Sequence, residues 1–212
     1  MNKRDEVYGR IIERLITAQV RLGDRLLVKE LASDLGVSRQ PIMSALNRLE
    51  ADGFVRIIPQ VGCQVVNPSR SEIGDFYMMF ERMEGLLAEL AAARRTDQQL
   101  EELRAMNRRI LTIDFSAPAA SRVYAGMNRE FHQMIHVMAR SPFIDERQRS
   151  NFNLSDFFIT QFTGFRSFMQ DAAQEHEEII DAIAMQAPTR ARAITEAHIG
   201  AIANIVLAGK AD

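Results

Sequence analysis

The stretch Lys29–Val66, KELASDLGVSRQPIMSALNRLEADGFVRIIPQVGCQVV, decides the architecture of the first part of this chain. Leu31, Ala32 and Leu35 fall on one side of a short amphipathic helix, and Gly36 stands where a left-handed C-cap would end it. Ser38 is placed to cap a second helix, Arg39 to Ala51, in which Ile42, Leu46 and Leu49 recur at helical spacing and face inward. After a loop at Gly53 come two β-leaning runs, Phe54 to Ile58 and Gln64 to Val66, joined by Pro59, Gln60, Val61, Gly62 and Cys63. Helix, tight turn, helix and β-hairpin make a winged helix-turn-helix.

The outward face of the second helix shows what the unit is for. With Ile42, Leu46 and Leu49 inward, Arg39, Gln40, Met43, Ser44 and Asn47 share the exposed side, with Arg48 at its edge. Arg pairs with guanine, Gln and Asn with adenine, and Ser with base or phosphate, all in the major groove of double-stranded DNA. A helix with a merely solvated polar face is the bland alternative. Turn glycine, cap serine and hairpin all sit where a DNA reader needs them.

This stretch resembles the GntR family of bacterial regulators, whose pattern is close to LAxxLGVSRxPVREALxRLExEGLVxxxPxxGxxV; here Leu31 to Val65 reads LASDLGVSRQPIMSALNRLEADGFVRIIPQVGCQV. The resemblance implies that Lys29, Arg39 and the wing tip around Gln60 to Gly62 touch DNA. Where the family usually has an Arg-Glu pair in the recognition helix, this chain has Met43 and Ser44. That removes an expected contact and implies weaker binding or a different operator.

Working outward, Val7, Ile11, Ile12, Leu15 and Ile16 predict a first helix, roughly Asp5 to Gln19, packed behind the reader, with a connector at Arg21 to Leu27. Residues 1–66 form the DNA-binding domain and 67–70 a short linker. From Ser71 to the end, residues 71–212, the pattern is helical throughout. The predicted helices are Ser71 to Arg95, a capping box at Thr96 and Gln99 opening one to about Ile113, Pro118 to Arg140, Phe143 to Ser167, Gln170 to Gln186, and Pro188 to Leu207. The fold class is mostly α, a winged helix-turn-helix followed by an all-helical bundle. The aromatic-rich run holding Phe152, Phe157, Phe158, Phe162, Phe165 and Phe168 reads as core or dimer seam ahead of a ligand cage.

Composition fits a globular regulator. Of 212 residues 47% are hydrophobic and 25% charged, and no apolar run is long enough to span a membrane. The N-terminus has no apolar segment behind its charges, so it is not read as a signal peptide. The single cysteine, Cys63, cannot form an internal disulfide and suits a reducing cytoplasm; on the wing it reads as an incidental small residue ahead of a redox sensor. Net charge is −2, split as 10 Lys+Arg against 8 Asp+Glu in residues 1–66 and 16 against 20 in the rest, which is compatible with phosphate contacts from the first part.

The second domain carries all four histidines of the chain, spread over three predicted helices. Asn128 and His132 lie at i and i+4, and His176 and His198 sit on later helices. Three imidazoles and an oxygen ligand, with positions left for water or a carboxylate, suit zinc, nickel or another divalent transition metal, one per chain. Singly, each histidine also reads as a satisfied polar residue. His136 continues the stripe by one turn, either lining the same pocket or resting against a neighbouring helix.

This half resembles the all-helical FCD domain of FadR-like GntR regulators, in its metal-binding six-helix form: Asp or Asn, two residues, an aromatic, His, then Glu-His and a final His. Here those are Asn128, Phe131, His132, Glu175-His176 and His198. Asn128 stands where Asp is common, which removes a negative charge, and Phe80 stands where many relatives place an Arg one turn before Glu84. The resemblance implies a repressor released by a small-molecule effector, an organic acid that completes the metal's coordination and meets groups such as Arg82, His136 or Arg166. A homodimer on a palindromic operator is the expected assembly.

Two other classes remain open at this point. A metal-dependent enzyme fused to a DNA reader would use Glu175, Glu177 or Glu178 beside His176 as base. There is no HExxH, and no pair of Glu-x-x-His motifs. A ligand-independent DNA-binding protein, with a structural metal or none, is the other.

Overall fold

The structure is a computed structural model that describes residues 3–59 and 62–210. Gln60, expected at the wing tip, lies outside the described residues. In chain order the elements are α1 (Lys3–Ile16), β1 (Arg25–Leu26), α2 (Val28–Leu35), α3 (Arg39–Ala51), β2 (Val55–Ile58), β3 (Gly62–Val65), α4 (Arg70–Arg94), α5 (Asp97–Leu111), α6 (Ala120–Ala139), α7 (Pro142–Phe162), α8 (Met169–Ala184) and α9 (Pro188–Gly209). The fold is mostly α, in two compact units. One comprises Met1–Ser69 with Asn153–Gln161, the other Arg70–Phe152 with Phe162–Asp212.

In the first unit, α1 packs on α3 through Val7, Ile11, Ile12 and Leu15 on one side and Ile42, Ala45, Leu46 and Leu49 on the other, all buried. α1 ends at Ile16, short of the expected Gln19, because Ala18 takes left-handed backbone at φ 53°. Gly36 caps α2 at φ 63°, ψ 36°, a conformation costly for any residue with a Cβ, and its N–H bonds Ser33. Ser38 does stand at the N-cap of α3 in extended backbone, but its side chain makes no capping hydrogen bond. Pro41 at N3 lacks one of the two N–H groups from which an N-cap hydroxyl accepts.

The hairpin gains a third strand that the sequence pattern hid inside a connector. β1 pairs antiparallel with β3, Arg25 against Gln64 and Leu26 against Cys63, giving the order β1-β3-β2. The segment Asn153–Gln161 completes this core: Phe157 packs edge-on against Phe54 at 5.7 Å. The Gln161 carboxamide accepts from Leu22 N–H at 3.3 Å and donates to Val20 C=O at 3.0 Å.

The second unit holds α4, α5, α6, α8 and α9 with the first part of α7, residues 142–152. Thr96 and Gln99 form the expected capping box at the start of α5, with both reciprocal bonds present. Pro142 opens α7 rather than only breaking α6, and α7 stops at Phe162, two residues before Gly164 at φ 69°. α4 runs against α9, α5 against α6 and α8, and α8 against α9. Phe80, Phe131, Phe152, Phe165 and Phe168 are buried here, so the aromatic-rich run is divided between two cores.

Candidate functional site

Each helix of the second unit brings one or more polar groups to a buried centre. α6 presents His132 and His136, α8 His176 and α9 His198, all within 5% of full burial. One ring nitrogen from each of His132, His176 and His198 lies within 4.8 Å of the others. Their rings face one another with centroids 5.1 to 5.6 Å apart.

Hydrogen bonds decide which nitrogen is available. His132 Nδ1 lies 3.0 Å from Glu84 Oε2 on α4, and His198 Nδ1 lies 2.7 Å from Glu175 Oε2 on α8. A carboxylate only accepts, so each Nδ1 carries the proton. His176 Nδ1 lies 3.0 Å from Asn107 Oδ1 on α5. The amide of Asn107 is oriented by its own donations to Ala173 C=O at 3.3 Å and Glu177 Oε1 at 2.5 Å, so its oxygen faces His176 and that Nδ1 is protonated as well. What remains in each ring is an Nε2 lone pair. His132 Nε2 and His176 Nε2 are buried without a hydrogen-bond partner.

Electrostatics keep His132 and His176 in the form that binds cations. Burial pushes the pKa of His132 down, against the opposing pull of Glu84, and burial together with His198 and His132 pushes His176 well down, so both are neutral. Convergent lone pairs with no donor between them are costly, and a divalent cation satisfies them. Behind the imidazoles stand the carboxylates of Glu84 and Glu175, and that of Glu177 through Asn107, as is usual behind metal-bound histidine. The residues present therefore fit a metal ion. The protein also brings Asn128 to the same face of α6, one turn from His132; it is partly buried, and its Oδ1 accepts from the Tyr124 hydroxyl at 3.3 Å.

His136 is a different kind of residue. Nε2 lies 2.9 Å from Glu84 Oε1 and Nδ1 lies 3.1 Å from Asp145 Oδ1 on α7, so both nitrogens face carboxylates. Burial disfavours its charge, but Glu84 and Asp145 outweigh burial and raise its pKa. Glu84 is held far below the usual carboxylate range: burial opposes this, and His136 with His132 overcome it. An imidazolium has no lone pair to give, so His136 braces the site from behind. Arg82 and Arg166 are not among the groups brought together. Arg82 is exposed and pairs with Glu196 at 2.6 Å, and Arg166, also exposed, donates to Ala117 C=O at 2.9 Å.

Glu84 and Asn107 were missed by the sequence reading as parts of this site. The signal was there: Glu84 falls in phase with Phe80, Leu87 and Ala91 on the buried stripe of α4, and Asn107 with Leu100, Leu103 and Ile110 on that of α5. A charged or amide group on an apolar stripe needs a partner, and both have one.

An open groove of about 220 Å³, lined by Glu175, Glu178, Ile194, Ala197 and His198, reaches this centre from the α8–α9 face. It is smaller than the roughly 300–1,000 Å³ of drug-sized sites and is of a size for a small metabolite.

In the first unit, Lys29, Arg39, Gln40, Met43, Asn47 and Gly62 are exposed, and Ser44 is partly so. Among the described residues no hydrogen bond or ion pair engages Arg39. Arg48 is committed elsewhere: its guanidinium stacks on Tyr8 at 4.0 Å and pairs with Asp5 at 3.3 Å and Asp52 at 3.9 Å.

A winged helix with an exposed reading face, joined to a helical unit with a buried cluster of three histidines, defines the class of two-domain DNA-binding regulators. Residues 3–65 match the family described as bacterial regulatory proteins, gntR family, and residues 75–201 match the FCD domain. The chain belongs to the GntR family of transcriptional regulators, with an FCD domain as its second part, and is not an enzyme. It is 28% identical over 195 residues to an HTH-type transcriptional regulator of Mycobacterium tuberculosis, covering 91% of this chain and 76% of that one. It is 31% identical over 117 residues to the Nta operon transcriptional regulator of Aminobacter aminovorans, covering 55% and 54%. The structure of E. coli McbR/YncC has a similar fold, with a TM-score of 0.80 at 17% identity over 97% of each chain.

Proposed function

We propose that the protein is a cytoplasmic, homodimeric repressor whose affinity for a palindromic operator is set by a small organic acid bound at a divalent metal, zinc or nickel, in the helical unit. The observation that carries this reading is the trio of buried histidines, each with Nδ1 tied and with one ring nitrogen within 4.8 Å of those of the other two. His132, His176 and His198 would hold the ion, with Asn128 as an oxygen ligand beside His132. When bound, a divalent ion supplies positive charge that an anionic effector can neutralise.

The chain's own groups do the rest. Glu175 and Glu178 at the groove favour entry of a cation and repel a free carboxylate, so the effector follows the metal in order of binding. The contacts of the effector are placed at the metal rather than at Arg82, Arg166 or His136, whose polar atoms are engaged. Arg39, Gln40, Ser44 and Asn47 read base edges, while Lys29, Ser38 and the wing at Gln60 and Gly62 meet the backbone. Arg48 holds α1 to α3 behind them. Repression is carried over from the resemblance to the family. An effector changes operator affinity only by as much as it prefers one arrangement of the reading heads.

The test is metal content by mass spectrometry of protein purified without chelator or affinity-tag metal. One ion per chain is expected in the wild type, with loss in His132→Ala, His176→Ala and His198→Ala. A wild type free of metal even after incubation with zinc and nickel would overturn the metal-dependent reading.

A further inference from the structure

One carboxylate stands where three helices meet. Glu84 is 1% exposed, and its two oxygens receive three donors. Oε2 accepts from His132 Nδ1 at 3.0 Å, and Oε1 accepts from His136 Nε2 at 2.9 Å and from Gln148 Nε2 at 2.8 Å. His132 belongs to the metal-binding trio. The other two donors lead to α7: Gln148 sits on it, and His136 continues through Nδ1 to Asp145 on the same helix at 3.1 Å. Gln148 is itself fixed, donating to Phe80 C=O at 3.3 Å and accepting from Asn151 at 3.0 Å.

α7 supplies no histidine to the trio, yet it is fastened at Asp145 and Gln148 to the group that orients one of them. The other two arms go elsewhere. Asn107 returns to α8 through Ala173 and Glu177, and Glu175 lies on α8. Among the described residues only the Glu84 arm passes by hydrogen bonds from a metal-binding histidine to α7, beside the ring contact of His132 with Phe152 at 5.0 Å.

We propose that Glu84 is a positioning residue that joins metal binding at His132 to the fixing of α7. The proposal rests on the metal-binding reading given above. When His132 coordinates through Nε2, its Nδ1–H becomes a stronger donor and holds Oε2 more tightly. The carboxylate is one rigid plane, so fixing Oε2 also fixes Oε1. The donors from His136 and Gln148 then find their acceptor in one place, and the first half of α7 is held with it. Without this clamp the three donors share a carboxylate free to turn.

Zinc affinity by chelator competition and hydrogen exchange of residues 142–152, with and without zinc, test this in the wild type, Glu84→Gln and Gln148→Ala. Glu84→Gln keeps the size of the group but offers one acceptor oxygen to three donors. It should bind zinc about 10- to 100-fold more weakly, the usual cost of losing a group behind a metal-bound histidine. Saturating zinc should slow exchange in residues 142–152 of the wild type and leave it unchanged in Glu84→Gln. Gln148→Ala leaves the His132 arm intact, so it should bind zinc within about threefold of the wild type while showing less protection of α7.

Wild-type affinity in Glu84→Gln, or full zinc-dependent protection of α7 in both variants, overturns the proposal. So does a wild type that binds zinc with no change in α7, which leaves the metal reading standing. A wild type that takes up no zinc removes the metal reading and this proposal with it. Should Glu84→Gln fail to fold, Gln148→Ala decides: protection equal to that of the wild type overturns the coupling.

Discussion

The thiol of Cys63 shows how one residue's surroundings settle a question of reactivity. It lies 4% exposed in the three-stranded sheet, and burial, with the Glu50 charge adding to it, pushes its pKa up to about 11. At pH 8 a pKa near 11 leaves about 0.1% thiolate, against about a quarter for an ordinary thiol near 8.5. Alkylation of the native protein by iodoacetamide at pH 8 should therefore be slower than that of free cysteine by about 250-fold. The rate should rise roughly tenfold per pH unit up to the pKa, and denaturant should restore the ordinary rate. A native rate within tenfold of free cysteine would contradict this, and would reopen the redox reading that a buried, raised thiol argues against. His136 makes the same point with the opposite sign. Its place in a repeating stripe with His132 leaves it either lining the pocket or resting against a neighbouring helix, and two facing carboxylates, on α4 and α7, make it a cation held between those helices.

Among the elements, α4 and α9 make the most intimate pair, and Gly85 is the reason they can. A Cβ at position 85 would fall 2.5 Å from Glu196 Cγ and 3.2 Å from Arg192 Cγ on α9, whereas a Cβ at Gly74, also on α4, meets nothing within 4 Å. Alanine is the better helix former by up to about 1 kcal/mol, so Gly74→Ala should stabilise. At Gly85 the overlap should win, because forcing extra atoms into a packed interface costs about 1–3 kcal/mol. It would also disturb Glu196, which receives Arg82 at 2.6 Å and Arg192 at 2.8 Å. Urea unfolding of the two variants checks this. Equal stabilisation by both would show that the helices do not approach as closely as the structure places them.

At the scale of the whole molecule, the buried histidine trio predicts that stability is linked to metal. Binding to the folded state alone adds RT ln(1 + [L]/Kd), about 2.7 kcal/mol at a hundredfold excess over Kd. For units of this size that corresponds to a rise of roughly 5–15 °C in Tm. Calorimetry with added zinc should show the rise, chelator should reverse it, and His176→Ala should lack it. No shift in the wild type at saturating zinc would count against the site. No helix among the described residues is long and apolar enough to cross a membrane.

The chain by itself determined the elements and most of the centre's inner ring. Local signals carry that information: the inward spacing of Ile42, Leu46 and Leu49, Gly36 at a left-handed cap, the capping box at Thr96, and His132, His176 and His198 on three helices. Each is readable because it depends on near neighbours in sequence or on a residue type that is rare in this chain. Only tertiary structure decided the rest. β1 is two residues long and exists through its pairing with β3, and Asn153–Gln161 joins the first unit because Phe157 meets Phe54 across about a hundred positions. The partners of the histidines come from 23 to 69 residues away, and their identity fixes which nitrogen is bare. Hydrogen bonds between distant helices depend on crossing and register, and no window of sequence contains either.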